Sequence, residues 1–139
     1  MAETNALERI GAQSIERVTR LKRERPVASL RDARLYARRP GSLRQALLGD
    51  GPCVIAEVKF SSPSEGVLYE GAGPAQAARI VSSYRAAGAA AVSILTEPEF
   101  FSGDVTHLAA AREAEPELCL LMKDFFVDAY QFDLARSCG

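Results

Sequence analysis

The chain has 139 residues, 47% of them hydrophobic and 25% charged, which is the composition of one folded domain with a real core. No apolar run approaches the roughly 18–20 residues that cross a bilayer, so an integral membrane protein is excluded. The net charge of −1 combines a basic segment, residues 1–50, with an acidic remainder. Acidic residues are interspersed among the basic ones and no nucleic-acid motif accompanies them, which argues against nucleic-acid binding.

The N-terminal segment and the cysteines indicate a cytoplasmic protein. Residues 1–18 contain early acidic residues and no apolar block, so no secretory signal is expected there. Cys53, Cys119 and Cys138 match no zinc or Cys-x-x-Cys spacing, and two of them lie in apolar runs. We therefore expect buried free thiols in a reducing compartment.

Residues 5–24 are predicted to form an amphipathic helix that ends before Pro26. Its apolar residues recur mostly at steps of three and four: Leu7, Ile10, Ile15, Val18 and Leu21. The other positions alternate Arg and Glu, which is typical of a solvated helix face.

A short polar helix or turn is predicted at residues 28–38. Ser42 is the predicted N-cap of a further short helix, closed by Gly49 or Gly51. Residues 1–50 are therefore expected to form a helical N-terminal extension.

The rest of the chain alternates between apolar runs of strand length and helical segments. The predicted strands are residues 53–60, 89–96 and 118–126, and the predicted helices are residues 74–88, 104–114 and 128–139. Asp128 is the predicted N-cap of the last helix. Three consecutive βα units indicate a parallel sheet with right-handed crossovers, and near-continuous apolar strands indicate a sheet covered on both faces.

Two α/β architectures remain open from the residues alone. No Gly-x-Gly-x-x-Gly fingerprint follows the first strand, which argues against a dinucleotide-binding fold and leaves a (β/α)-barrel or a flavodoxin-like sheet. A closed barrel needs eight strands and about 250 residues, so in a barrel these 139 residues would be the first part. The first and third strands would then have open, association-prone edges.

Three charged residues on two strands are the strongest candidates for chemistry. Side chains alternate along a strand, so Glu57 and Lys59 share one face of the first strand, and Lys123 lies near the carboxyl end of the third. Ligands of parallel α/β proteins bind at the carboxyl ends of the strands. A buried ion pair adds little stability because desolvation offsets its attraction, which favours a functional role.

The other polar and aromatic candidates carry weaker signals. Phe100 and Phe101, after the second strand, either wall an apolar ligand or anchor their loop. His107 is interpreted as a helix-packing or surface residue. Asp124 points away from Lys123 and is interpreted as orienting the next loop.

Three blocks carry a resemblance to a known family. They are IAEVKFSSPSEGV (55–67), AAGAAAVSILTEPEFFSGD (86–104) and LMKDFFVDAYQFDLARSCG (121–139), and in order and spacing they resemble the indole-3-glycerol phosphate synthases. The resemblance implies a (β/α)8 TIM barrel. Residues 1–50 would be a helical extension over its catalytic face, and residues 51–139 its first three βα units.

The resemblance also implies an activity and three catalytic residues. The family's enzymes are carbon–carbon lyases of tryptophan biosynthesis. They convert 1-(2-carboxyphenylamino)-1-deoxyribulose 5-phosphate into indole-3-glycerol phosphate, CO₂ and water, without a metal or cofactor. In the matching positions, Lys123 would be the general acid for ring closure, Lys59 would hold the substrate carboxylate, and Glu57 would orient the two lysines.

Four further residues would bind the substrate in the matching positions. Ser62 and Pro63 would line the pocket, and Phe101 and Phe125 would contact the anthranilate ring. Peripheral departures from the family pattern are Phe60, Ser61 and Glu65.

The family's C-terminal half supplies a further Glu, an Asn and the phosphate-binding loops, which would lie outside these residues. The chain alone is therefore expected to be inactive, and its partners would be the phosphorylated substrate and the missing half-barrel. The alternatives are a non-catalytic half-barrel that self-associates through its open edges, and another phosphosugar barrel such as a phosphoribosylanthranilate isomerase-like protein. The EVK…SPS block speaks against the isomerase.

Overall fold

The computed structural model describes residues 5–48 and 51–139. The first of these segments contains three helices: α1 (Ala6–Glu24), α2 (Val27–Arg31) and α3 (Leu43–Ala46). The second contains, in chain order, β1 (Ile55–Val58), β2 (Ser61–Ser62), β3 (Gly66–Val67), α4 (Pro74–Ala86), β4 (Ala91–Leu95), α5 (Pro98–Phe101), α6 (Val105–Ala114), β5 (Cys119–Lys123) and α7 (Tyr130–Ser137).

Helix α1 has the predicted bounds but a narrower buried stripe. Asn5 caps it by accepting a hydrogen bond from the Leu7 amide at 3.1 Å, while Glu8 accepts one from the Asn5 amide at 3.3 Å. The predicted stripe is partly wrong, because Leu7 and Ile15 are exposed. The helix buries a single row of residues, a little more than two turns long, because only this row faces the rest of the fold: Ile10, Ser14 and Val18.

The two shorter N-terminal helices differ from the prediction at their ends. The segment 28–38, predicted as a short helix or turn, contains both: α2 spans Val27–Arg31, and turns follow. Ser42 is the predicted cap, and its Oγ accepts a hydrogen bond from the Gln45 amide at 3.2 Å. Helix α3 ends at Ala46, before Gly51, and Gly49 lies outside the described residues.

The α/β class and the parallel sheet are confirmed. Strands β1, β4 and β5 pair in parallel with β4 in the centre. The strands are shorter than predicted, since β1 stops at Val58 and β5 at Lys123, where their pairing with β4 ends. Beyond β1 the chain turns into the small antiparallel pair β2–β3, which the apolar pattern could not indicate.

The helices cover one face of the sheet. Side chains on that face form the core with Leu108 and Leu134 of the helices: Val58, Val92, Ile94 and Met122. On the other face Ile55 and Leu121 are each 43% exposed. The expectation of a sheet covered on both faces is therefore wrong for the described part of the chain.

Two further expectations about single residues are corrected. Asp128 is not the cap residue of α7, which is Ala129, although the Asp128 carboxylate accepts a hydrogen bond from the Tyr130 amide at 2.8 Å. Of the three free cysteines only Cys138 is buried, and burial raises the pKa of its thiol. Cys53 is exposed because it precedes β1 rather than lying within it. Among the described residues, no helix is long and apolar enough to cross a bilayer.

The N-terminal helices attach to the third βα unit. The Tyr130 hydroxyl of α7 donates to the Arg25 carbonyl at 2.9 Å. Two ion pairs join the same parts of the chain, Lys22 with Asp128 at 2.8 Å and Arg31 with Asp133 at 3.1 Å. The extension is therefore held against α7 and the loop that precedes it.

Gly103, between α5 and α6, has no room for a side chain. A Cβ atom there would lie 2.6 Å from the Leu95 carbonyl oxygen and 2.8 Å from both the amide nitrogen and the carbonyl oxygen of Glu97. These are backbone atoms, so relief requires the strand end to move. We expect Gly103→Ala to lower the free energy of unfolding by about 1–3 kcal/mol, measured by urea denaturation.

Gly11→Ala is the matched control for this substitution. Gly11 lies within α1, and nothing lies within 4 Å of the position of its added Cβ. Alanine is the better helix former, so this variant should gain about 0.5–1 kcal/mol. An unchanged unfolding midpoint for Gly103→Ala would contradict the packing argument.

His107 is a buried packing residue, as the sequence indicated. Its ring lies edge-on to Phe60, with the ring centroids 5.1 Å apart. Burial lowers the pKa of His107, and the nearby Asp104 carboxylate opposes this shift. Folding therefore disfavours the protonated form, so this contribution to stability is present above about pH 6.5 and lost as the pH falls below it.

We accordingly expect the urea concentration at the unfolding midpoint to decrease when the pH is lowered from 7.5 to 5.5. The chain has one histidine, so His107→Phe should remove the His107 part of that fall. A wild-type midpoint that rises over this range would contradict the assignment.

Candidate active site

The three charged residues singled out by the strand pattern meet at the carboxyl end of the sheet. Lys123 Nζ donates to Glu57 Oε2 at 2.6 Å, and Lys59 Nζ lies 3.8 Å from Glu57 Oε1. One carboxylate therefore stands between two ammonium groups and engages each with a different oxygen. The cluster has a net charge of +1, which suits an anionic ligand.

The register of the sheet explains this convergence. Glu57 pairs with Ser93, which pairs with Leu121, and two residues further along the strands Leu95 pairs with Lys123. Glu57 and Lys123 thus reach towards each other across β4. The small side chain of Ser93 leaves the space that they use, and its buried Oγ has no hydrogen-bond partner in the structure. Sequence reasoning missed Ser93, because a single serine in an apolar strand gives no signal.

The cluster is open to solvent. The side chains of Glu57, Lys59 and Lys123 are 32%, 33% and 52% exposed. Ion pairs in such surroundings are screened and contribute about 0–1 kcal/mol each. Stability therefore does not account for the cluster.

Ser62 is the last residue of β2, and Pro63 begins the tight turn that joins β2 to β3. Ser62 is buried, and its Oγ accepts a hydrogen bond from the Glu65 amide at 3.1 Å, while Pro63 is exposed. The neighbouring Ser61 joins this turn to the loop after β4, since its Oγ lies 2.9 Å from Ser102 Oγ and donates to the Phe100 carbonyl at 3.2 Å. The role of Ser61 was not predicted.

The two aromatic candidates are brought together. The rings of Phe101, at the end of α5, and Phe125, after β5, are stacked with centroids 6.2 Å apart and planes inclined by 28°. The neighbouring Phe100 turns the other way, with the Arg9 guanidinium 5.9 Å from its ring centroid. Phe100 therefore anchors the loop to α1, and Phe101 forms an aromatic pair with Phe125, two residues after Lys123.

The short helix α5, which carries Phe100 and Phe101, was not predicted, although its signal is in the sequence. Glu97 is buried, and its carboxylate accepts hydrogen bonds from the amides of Glu99 at 3.1 Å and Phe100 at 2.8 Å. Pro98 occupies the first helical position. An acidic cap followed by proline is a helix start, which the loop assignment overlooked.

Asp124 orients the loop after β5, as the sequence indicated. Its Oδ1 accepts a hydrogen bond from the Phe125 amide at 2.8 Å, and its Oδ2 accepts one from Thr96 Oγ1 at 2.8 Å. Its third partner, Arg17 of α1, was not predicted.

Comparisons with known proteins match one family. The family model described as indole-3-glycerol phosphate synthase matches residues 7–139. The indole-3-glycerol phosphate synthase of Burkholderia multivorans is 44% identical over 142 residues, which cover 98% of this chain and 52% of that protein. Those of Salinibacter ruber and Burkholderia ambifaria are each 43% identical, over 89% and 90% of this chain and 45% and 51% of their own lengths. The chain spans about half the length of the curated relatives it matches.

Proposed function

The chain belongs to the indole-3-glycerol phosphate synthase family, and we propose that it is the N-terminal half of such a synthase. In this proposal the sheet β1–β4–β5 and its helices, in residues 51–139, are the first three βα units of a (β/α)8 barrel. Residues 1–50 are its helical extension. The sheet supports this, because its helices lie on one face and its other face exposes Ile55 and Leu121, which a closed barrel would bury.

The substrate is 1-(2-carboxyphenylamino)-1-deoxyribulose 5-phosphate, and the reaction is ring closure followed by loss of CO₂ and water. Ring closure places negative charge on the carbonyl oxygen, so an acid must protonate it. We assign this step to Lys123. The observation that carries the assignment is the 2.6 Å contact with Glu57, which fixes the ammonium in one direction at the strand end.

Lys59 is assigned to the substrate carboxylate. Its ammonium lies 3.8 Å from Glu57, farther than that of Lys123, so it is the less engaged of the two cations. A carboxylate ligand would take it over without breaking a short hydrogen bond. Glu57 directs the two lysines through its two carboxylate oxygens and is available to accept a proton during dehydration.

The aromatic pair is assigned to the anthranilate ring. Aromatic rings interact at centroid distances of about 4.5–7 Å, and Phe101 and Phe125 already show this geometry with each other. A third ring would extend the pair towards the charged cluster. Ser62 and Pro63, at the start of the β2–β3 turn, would line the side of the substrate pocket opposite the aromatic pair. None of these roles requires a metal or cofactor.

A chimeric barrel tests the proposal. Residues 1–139 would be joined to the part of the Burkholderia multivorans relative that lies beyond the aligned region. We expect the chimera to support growth without tryptophan in a bacterium that lacks its own synthase, and to release indole-3-glycerol phosphate in vitro. Glu57→Gln in the same chimera is the matched control, and it should lose activity because Glu57 directs both lysines. A folded chimera that converts none of the substrate would contradict the proposal.

A specific observation favours the alternative of a self-associating half-barrel. The exposed Ile55 and Leu121, together with the outer edges of β1 and β5, suit self-association of the half-barrel. The family match supports the synthase over a phosphoribosylanthranilate isomerase-like protein.

A further inference from the structure

The residue next to Lys123 connects the charged cluster to the N-terminal helix. Side chains alternate along β5, so Lys123 faces Glu57 while Asp124 points to the other side of the strand. There Arg17 Nη2 of α1 donates to Asp124 Oδ1 at 2.6 Å. The two side chains are 13% and 2% exposed, so this ion pair is nearly withdrawn from water.

Arg17 also contacts the end of the central strand. Its Nη1 donates to the Thr96 carbonyl at 3.4 Å, and Thr96 returns two contacts to β5. The Thr96 amide donates to the Lys123 carbonyl at 3.0 Å, and its Oγ1 donates to Asp124 Oδ2 at 2.8 Å. Arg17 therefore joins the ends of β4 and β5 at the point where Lys123 leaves the sheet.

The loop after Lys123 is fixed from its other side as well. The buried Gln131 of α7 donates to the Phe125 carbonyl at 2.9 Å and accepts from the Val127 amide at 2.8 Å. The chain after Lys123 is thus held at two points: at Asp124 by Arg17 and Thr96, and at Phe125 and Val127 by the Gln131 amide. A change at either point alters the direction of the strand end.

Other ion pairs between the extension and the third βα unit differ from this one. Lys22–Asp128 and Arg31–Asp133 have one partner 46% and 61% exposed, so they are screened and hold the helices only weakly. Desolvation offsets most of the attraction within a buried ion pair, so the Arg17–Asp124 pair adds little to stability. Its location next to Lys123 indicates a role in positioning that lysine.

We propose that Arg17 is a positioning residue for Lys123: through Asp124 and Thr96 it holds the end of β5 in the direction that places Nζ on Glu57. Helix α1 is then a working part of the candidate site and not only a cover. The kinetic consequence rests on the proposed function, whereas the geometric consequence does not.

Lysine acylation in the 139-residue chain tests the geometry. The chain has three lysines, so a water-soluble N-hydroxysuccinimidyl acetate followed by peptide mass spectrometry reports all of them: Lys22, Lys59 and Lys123. The Lys123 amine must leave Glu57 Oε2, which lies 2.6 Å away, before it can attack the reagent. We expect Arg17→Met to raise the acylation rate of Lys123 several-fold relative to Lys22, and Glu57→Gln to give the rate of the fully released amine.

Two variants separate positioning from general loosening. Arg31→Met removes an extension–α7 ion pair of the same chemistry away from Lys123, and it should leave the Lys123 rate unchanged. Arg17→Lys retains the positive charge but not the paired donors of the guanidinium. Its Lys123 acylation rate should therefore lie between those of the wild type and Arg17→Met. An Arg17→Met chain whose Lys123 reacts at the wild-type rate overturns the proposal.

Thr96→Val decides the question if Arg17→Met unfolds and every lysine becomes reactive. It removes one hydrogen bond to Asp124 and leaves the ion pair in place. A selective rise at Lys123 supports the proposal, and an unchanged Lys123 rate overturns it.

The kinetic arm uses the chimeric barrel, in which Arg17→Met should lower kcat about tenfold with little change in KM. An inactive chimera with selective Lys123 labelling contradicts the proposed function alone. An active chimera whose Arg17→Met variant keeps full kcat and normal labelling contradicts the positioning role alone.

Discussion

Replacing Lys123 by alanine in the chimeric barrel is expected to lower kcat by about 10³-fold, within the range that a positioned general acid contributes. No other ammonium in the described residues is placed to substitute. Lys59 contacts the opposite oxygen of Glu57 and lies beyond the end of β1. The substrate should still bind, because its carboxylate and ring contacts are assigned elsewhere, so KM should change little.

Lys123→Arg distinguishes proton donation from simple charge. A guanidinium preserves the positive charge beside Glu57 but holds its proton too tightly to act as an acid, so it should rescue little activity. Lys22→Ala, which removes an exposed lysine of α1, is the matched control and should retain normal turnover. Steady-state kinetics of the four proteins decide the matter, and near-normal kcat in Lys123→Ala would remove this residue from the mechanism.

The second large effect concerns the 139-residue chain without the rest of a barrel. We expect its turnover to lie at least about 10³-fold below that of the chimera, because catalysis depends on holding the substrate from several sides and on excluding water. Here Lys123 is 52% exposed and the inner face of the sheet is open. The phosphate-binding contacts expected from the family would also lie outside these residues.

The same assay run on the chain and on the chimera measures this difference. Size-exclusion chromatography over a range of concentrations should accompany it, since self-association would cover Ile55 and Leu121 without restoring the site. Turnover by the chain alone that approaches that of the chimera would show that one half of the barrel suffices.

The parts of the site that follow from local pattern were predictable. Alternation along β1 and the position of Lys123 at the end of β5 were enough to place three charges at one edge of a parallel sheet. The helices that cover the sheet followed from apolar periodicity and from the proline and glycine at their ends. The pairing of Phe101 with Phe125 did not follow from pattern. Phe101 was a candidate from its place after the second strand, and Phe125 was reached only through the resemblance to the family.

The remaining features depend on contacts that no local pattern encodes. Arg17 lies on a helix face that alternates Arg and Glu, and nothing in its neighbourhood distinguishes it from Arg20. Its partner is 107 residues away, so only the folded chain reveals the pair. Strand ends were overestimated because the apolar runs continue past the last paired residue, as Phe125 and Phe126 do after Lys123.

The Arg17–Asp124 contact also sets an order of events during synthesis on the ribosome. Helix α1 leaves the ribosome before β5, and its buried partner follows 107 residues later, which at about 5–20 residues per second is a delay of about 5–20 s. Helix α1 therefore completes this contact only after Asp124 has been made, and the lysine beside Asp124 gains its final direction only then.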